Sequence, residues 1–216
     1  MGAISDTSGQ IALRDPDTRL MLRVRDGDSV AFEELVEKYQ HRLVAVLQHL
    51  VGRNEEAEDL AQEVFLRVYR ARNKYRARAK FSTWLFTIAN NLALNALRNR
   101  QRKPVVALPG TESGPLGPRP AEQLIRDPSG NPSQHMRQLE LAAVVRRALD
   151  TLNDRQRAAV LLHKFEEMYY AEIAAVMRLT TKAVKSLLNR ARAKLREELQ
   201  DYVLMDGFAN PPANDN

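Results

Sequence analysis

The 216-residue sequence contains no cysteine. This excludes disulfides, thiolate catalysis and cysteine-ligated zinc, and it is compatible with a reducing compartment. Histidine is scarce as well. His41, His49, His135 and His163 are scattered, and although His41 and His49 fall near one helical face, no neighbouring pattern supplies a supporting carboxylate and an open metal position. No apolar run is long enough to cross a bilayer, and no basic segment followed by an apolar one opens the chain. Membrane insertion is therefore not expected, and the expected compartment is the cytoplasm. Glycine-rich phosphate loops, nucleophile elbows and paired-carboxylate motifs are also missing, so no catalytic residue, metal or cofactor is nominated and an enzyme is the least supported class.

The most informative absence is of negative charge. From Leu66 to Lys103 there is no Asp or Glu, while eleven Arg and Lys residues lie there, interleaved with Tyr69, Tyr75, Phe81, Trp84 and Phe86. Cations that track phosphates beside rings that receive unstacked bases are how proteins hold single-stranded nucleic acid. A solvated basic face over an ordinary aromatic core gives the same composition, and charge alone does not separate the two. The net charge of +6 permits nucleic acid or an anionic surface as partner. DNA is the expected one.

Along the chain, residues 1–17 are polar and irregular and read as an arm. The first firm helix is expected after Asp26-Gly27-Asp28, with Phe32, Leu35, Val36, Tyr39, Leu43, Val46, Leu47 and Leu50 as its buried stripe and Asp28 or Ser29 as its cap. A second carries Ala57, Leu60, Ala61, Val64, Phe65, Val68 and Tyr69 inward. Its opening acids suit the positive end of a helix dipole, but Glu63 lies beyond that first turn, and with Asp59 and Gln62 it suggests a negative docking face. A basic loop, Tyr75 to Lys80, precedes a third helix striped by Trp84, Leu85, Ile88, Ala89, Leu92, Ala96 and Leu97. Pro and Gly then crowd the stretch from Pro104 to Pro132, which reads as an extended linker.

Helical periodicity returns at Met136. Asn153 and Asp154 cap the next helix, with Phe165 expected inward, and Tyr170 to Met177, a tight turn at Arg178-Leu179-Thr180 and a helix from Thr181 to Leu199 form a helix-turn-helix. Small Ala174 allows close approach, Val184 packs beneath, and no acid occurs from Ile173 to Arg196. If the turn needs positive φ at Arg178, a non-glycine residue there costs on the order of 1 kcal/mol. The expected fold is all-α: an arm (1–17), a helical domain (18–103), a flexible linker (104–135), a helix-turn-helix domain (136–203) and a tail (204–216).

Two separate stretches carry a family resemblance. Asp59-Leu60-Ala61-Gln62-Glu63-Val64-Phe65 with Phe81-Ser82-Thr83-Trp84-Leu85-Phe86-Thr87-Ile88-Ala89-Asn90-Asn91 resembles the promoter-melting domain of extracytoplasmic-function sigma factors of bacterial RNA polymerase. Leu152 to Arg157, Glu172-Ile173-Ala174, Val184-Lys185-Ser186 and Arg190-Ala191-Arg192 resemble their second DNA-binding domain. The resemblance implies that Asp59, Gln62 and Glu63 dock on the clamp helices of the largest subunit of core RNA polymerase. It places Tyr75 and Asn91 at the minus-ten element of promoter DNA, with Tyr75 giving an extruded base a surface; Arg76, Arg78 and Lys80 of the basic loop are expected beside them, and Arg98, Arg100 and Arg102 would hold the adjoining phosphates. It places Lys185, Ser186 and Arg190 at the minus-thirty-five element, and Lys182, Asn189 and Arg192, on the same exposed side of that helix, are expected to join them there. Trp84 reads as core packing. An anti-sigma factor is a common further partner in the family. A freestanding helix-turn-helix regulator acting without polymerase is the rival reading. It would need a self-complementary apolar face, which the sequence does not reveal.

Overall fold

The computed structural model describes residues 14–102 and 132–205. The expected linker therefore lies outside the described residues except for its last turn, as do most of the arm and nearly all of the tail. Eight α-helices and one short 3-10 turn make up the described residues, with no strand among them. The first unit contains α1 (Pro16–Arg25), α2 (Ser29–Val51), α3 (Asn54–Ala71), a 3-10 turn (Arg72–Lys74) and α4 (Phe81–Arg102). The second contains α5 (Pro132–Asp150), α6 (Asp154–Lys164), α7 (Tyr170–Met177) and α8 (Thr181–Met205).

Helix α1 corrects the sequence reading, which has the first firm helix starting after Asp28. Pro16 sits in its opening turn, where a missing N–H costs nothing, and the Asp15 carboxylate accepts from the Thr18 amide at 3.1 Å. The same carboxylate accepts from the Phe81 amide at 3.1 Å, and Thr18 Oγ1 accepts from that amide at 3.0 Å. One short polar segment thus supplies acceptors at the start of two helices. Asp17, buried on the same helix, accepts from Lys38 Nζ and from the Tyr39 hydroxyl, each at 2.6 Å.

Asp28 caps α2 by accepting from the Ala31 amide at 3.0 Å, and Gly52 ends that helix at φ 79°, a conformation that a Cβ would disfavour. Leu35, Leu43 and Leu47 of α2, Val64 of α3 and Phe81 and Leu85 of α4 are fully buried, joined by Met21 and Val24 of α1. These residues close the first core.

Helix α5 begins at Pro132, a turn before the expected Met136. Asn153 and Gln156 form a reciprocal cap at the start of α6: Asn153 Oδ1 accepts from the Gln156 amide at 2.9 Å, and the Asn153 amide donates to Gln156 Oε1 at 3.2 Å. Helix α7 ends at Arg178 in the left-handed region, φ 53°. Val184, Leu188 and Ala191 anchor α8 over Ile173, Val176 and Leu161. Helix α8 continues to Met205, past the expected end at Leu199.

The two units pack together. α7 lies on α4 and α6 on α2, and their buried residues form one continuous cluster. Phe165 is a correction. It is 44% exposed, with its ring 5.4 Å from that of His49 on α2, because it lies at the seam between the units rather than in the second core.

Candidate nucleic-acid interface

Three surfaces carry the residues singled out by sequence. The first is the basic loop and helix α4. Arg76 and Arg78 are exposed on the loop, and Arg98 and Arg102 are exposed at the far end of α4. Asn91 is half-buried, so its carboxamide is not sealed in the core. Tyr75 departs from expectation. It is only 4% exposed and its ring packs 4.8 Å from that of Trp84, so it offers no free face to a base. Burial also raises its phenol above the usual tyrosine range. A lone aromatic in a basic loop has no periodicity to reveal which way it points, and the half-buried Trp84 is the ring of this pair nearer to solvent.

Not every cation on this surface is free. Arg100 donates to Glu56 of α3 and, at 3.2 Å, to the Val51 carbonyl. Lys80 pairs with Glu172 of α7 at 2.9 Å, and its ammonium lies 5.6 Å from the centre of the Tyr169 ring. The hydrogen bond to Glu172, followed by the attraction of its charge, raises the Lys80 pKa. A cavity of about 540 Å³ opens between loop and helix, lined by Tyr75, Arg76, Arg78, Thr83, Trp84 and Thr87, with Ala175 of α7 on its far wall.

The second surface is on α3. Asp59 and Gln62 are exposed, while Glu63 is half-buried and accepts from Arg67 one turn on at 2.7 Å. Beside them runs a groove of about 700 Å³ between α2 and α3, lined by Phe32, Val36, Gln62, Phe65, Leu66 and Tyr69 among others. Leu66 and Val30 stand about half exposed at 49% and 58%. The groove was not read from sequence. Its signal is that Phe65, Leu66 and Tyr69 make the apolar face of α3 wider than a single core needs.

The third surface is α8. Lys182, Lys185, Ser186, Asn189, Arg190 and Arg192 are all exposed, on the side opposite the buried Val184, Leu188 and Ala191. Arg190 folds back on the Ser186 carbonyl at 3.4 Å, and Arg192 donates to the Tyr170 hydroxyl at 3.1 Å. Neither contact neutralises a charge. An exposed helix dense in cations and amides, held over an apolar base by a left-handed turn, has the shape and chemistry to enter a DNA major groove.

One further pair was missed because its members lie 124 positions apart. Arg42 of α2 donates to Glu166 at 2.7 Å, and the Glu166 side chain is 1% exposed. Burial outweighs the opposing pull of the guanidinium and pushes this carboxyl up to about 7. Among the described residues no cluster of His, Asp and Glu is arranged to hold a metal, and no helix is long and apolar enough to cross a membrane.

Residues 35–103 match the Sigma-70 region 2 model, and residues 142–195 match that of Sigma-70, region 4. The chain is 34% identical over 187 residues to the RNA polymerase sigma-H factor of Pseudomonas aeruginosa, a match covering 87% of this chain and 95% of the relative. It is 31% identical over 179 residues to the ECF RNA polymerase sigma factor SigW of Bacillus subtilis, covering 83% and 94%. At the level of fold it is similar to the sigma factor RpoE of Bartonella quintana, solved with the anti-sigma factor NepR, with a TM-score of 0.57 at 22% identity over 78% of this chain and 96% of that one. Two helical units in this order, each matched to its own region, and relatives aligned over nearly their whole length show that the chain belongs to the sigma-70 family, as an extracytoplasmic-function sigma factor of RNA polymerase.

Proposed function

We propose that this sigma factor brings core RNA polymerase to a defined set of promoters, gripping the minus-thirty-five element with α8 and capturing the melted minus-ten strand with the loop and α4. It contributes position and binding energy and no catalytic group, and it acts in the cytoplasm. The observation that carries the reading is that one chain presents two separate basic surfaces, on α4 and α8, and a third surface of opposite character on α3.

Gln62 lines an apolar groove together with Glu33 and Glu58, and Asp59 and Glu63 lie next to these residues on α3, which suits a basic helical partner whose apolar side chains enter the groove while its cations meet the acids around it. The clamp helices of the polymerase largest subunit are the proposed occupant. On α8, Lys185 and Arg190 can reach guanine O6 and N7, Asn189 can pair with adenine, and Lys182 and Arg192 hold phosphates. On the first unit Arg76, Arg78, Arg98 and Arg102 track the single strand, with Asn91 at a base edge and Lys80 and Arg100 joining once released from Glu172 and Glu56. Trp84, propped by Tyr75, takes the stacking role assigned to Tyr75 from sequence. Unstacking costs a few kcal/mol, offset by these contacts. An anti-sigma polypeptide competing for the α3 face is a natural antagonist.

The test is reconstitution of the chain with core polymerase on a promoter library. Specific initiation is expected, and reversing charge with Asp59→Lys and Glu63→Lys should weaken core binding by about tenfold or more. A chain that binds duplex promoter DNA tightly by itself and forms no complex with core would favour the freestanding regulator.

A further inference from the structure

We propose that Asp15 and Thr18, at the start of α1, are positioning residues for base selection: they cap α4, hold the loop 75–80 from both ends, and so set which base that loop accepts. The inference rests on the proposed reading of the loop as part of the minus-ten site, and α1 lies outside residues 35–103, which match region 2.

Three observations carry it. The loop has little of its own to hold its shape. Residues 75–80 belong to no helix, and the described backbone hydrogen bond that lies wholly within them runs from the Arg78 amide to the Arg76 carbonyl at 2.8 Å. Next, α4 has no cap from its own sequence. The Trp84 amide donates to the Lys80 carbonyl at 3.3 Å, which puts Lys80 in the flanking position, and an ammonium has no lone pair to offer the free amides of the first turn. Asp15 Oδ2 and Thr18 Oγ1 supply the missing acceptors, 3.1 and 3.0 Å from the Phe81 amide, and the Thr18 hydroxyl donates to Asp15 Oδ2 at 2.8 Å. Thr18 is fully buried, so this borrowed cap is shielded from water. Finally, α1 reaches both ends of the loop. It packs on the 3-10 turn that leads into Tyr75 and on the helix that follows Lys80. Burial raises the Tyr75 phenol, the nearby Thr18 hydroxyl opposes that rise and the Asp15 charge adds to it, so the same two side chains stand by the first residue of the loop and by the first residue after it. Asp17 supports the frame from behind, accepting from the Tyr39 hydroxyl at 2.6 Å while the Tyr39 ring stands edge-on, 5.3 Å from that of Phe81. A base edge is read by hydrogen bonds that weaken steeply when misaligned, so a site on an irregular loop discriminates only as well as the loop ends are held.

The test uses holoenzyme reconstituted from core polymerase and the full chain, on promoters that vary one minus-ten base at a time beside a constant minus-thirty-five element. Thr18→Val keeps the buried shape and removes the hydroxyl. The ratio of initiation with the preferred base to initiation with the next should fall by about threefold or more, a small part of what one well-made base contact is worth. Dependence on the minus-thirty-five sequence should stay as in the parent chain. Thr18→Ser keeps the hydroxyl and should restore the parent ratio. Asp15→Ala is a second, independent variant expected to shift the ratio in the same direction, and Asp15→Asn, which keeps an acceptor oxygen, should restore it. A merely structural role would lower initiation on every template by the same factor. That outcome, or ratios unchanged in both Thr18→Val and Asp15→Ala, overturns the inference. Trp84→Leu keeps apolar bulk and removes the proposed stacking ring. If it alters the use of minus-ten variants while the α1 variants do not, the inference fails alone; if none of the three does, the reading of the loop as part of the minus-ten site fails with it.

Discussion

The basic surface around α4 and that of α8 are both proposed to face DNA, yet the first is partly paired with carboxylates, Arg76, Arg78, Arg98 and Arg102 standing exposed beside cations that are engaged. On α8 the charged groups that face away from the core stand in solvent, and the described contacts of its cations are to two backbone carbonyls and a phenol. On the first unit Lys80 is tied to Glu172, Arg100 to Glu56 and Arg67 to Glu63. A surface whose counter-ions are only solvent ions gains entropy by releasing them to water on binding DNA, whereas a surface already paired with protein carboxylates must first break those pairs. On the proposed reading, α8 therefore binds duplex with little to break first, whereas the first unit gives up part of its binding energy to the pairs it must open.

The strongest way to break the comparison is to remove the support of one helix only. Leu188 is 1% exposed beneath α8, and Leu188→Ala should cost about 2–5 kcal/mol through lost burial and the cavity left behind. The second unit is small and should lose much of its order. Duplex binding at the minus-thirty-five element is then expected to disappear while α1 to α4 stay helical, as seen by circular dichroism and by hydrogen exchange resolved to peptides. Loss of protection across both units together would show that the shared cluster makes them one cooperative body and that the contrast between the two surfaces is superficial.

A smaller effect probes the element that composition hid. Asp15→Ala removes the acceptor shared by the Thr18 and Phe81 amides and should lower stability by about 1–2 kcal/mol, measured by urea denaturation. Asp15 makes no described contact with the unit that carries α8, so that unit's protection should be unchanged. Helix α1 escaped the sequence reading for a physical reason. Asp17 and Thr18 are buried by hydrogen bonding rather than by apolarity, and a search for apolar periodicity reads such residues as solvent-facing. Where burial is apolar the outcome differs. Leu35, Leu43 and Leu47 lie on the expected stripe of α2, and the helix-turn-helix from Tyr170 to Met177 and onward from Thr181 falls on its expected bounds. For the site, the exposed row on α8 was legible because a helix with one apolar side defines the other. The burial of Tyr75 and the engagement of Lys80 and Arg42 were not, since each depends on a residue brought in from a distant part of the chain. Glu166 and Glu172 belong to a helix-turn-helix whose own pattern gives no hint of what it rests on.

The gentlest probe concerns the turn that aims α8. Arg178 occupies φ 53° and ψ 48°, and the Leu179 amide donates back to the Ala174 carbonyl at 2.9 Å. This is the closing geometry that helices usually assign to glycine. An L side chain there bears a steric penalty between its Cβ and its own backbone, and Arg178 itself is exposed, with no described ion pair to offset it. Arg178→Gly should therefore stabilise the second unit by about 0.5–1 kcal/mol, seen as a higher denaturation midpoint with an unchanged slope. The gain is held down because glycine also widens the unfolded ensemble. Because the turn is relieved without moving α8, duplex affinity should change only by the loss of one cation near the groove and show a slightly shallower salt dependence. The cross-unit pairs are untouched, so the protection of the α4 and α7 amides against hydrogen exchange should match that of the parent chain. A loss of protection there would mean that the backbone conformation at Arg178 helps to hold α7 against α4.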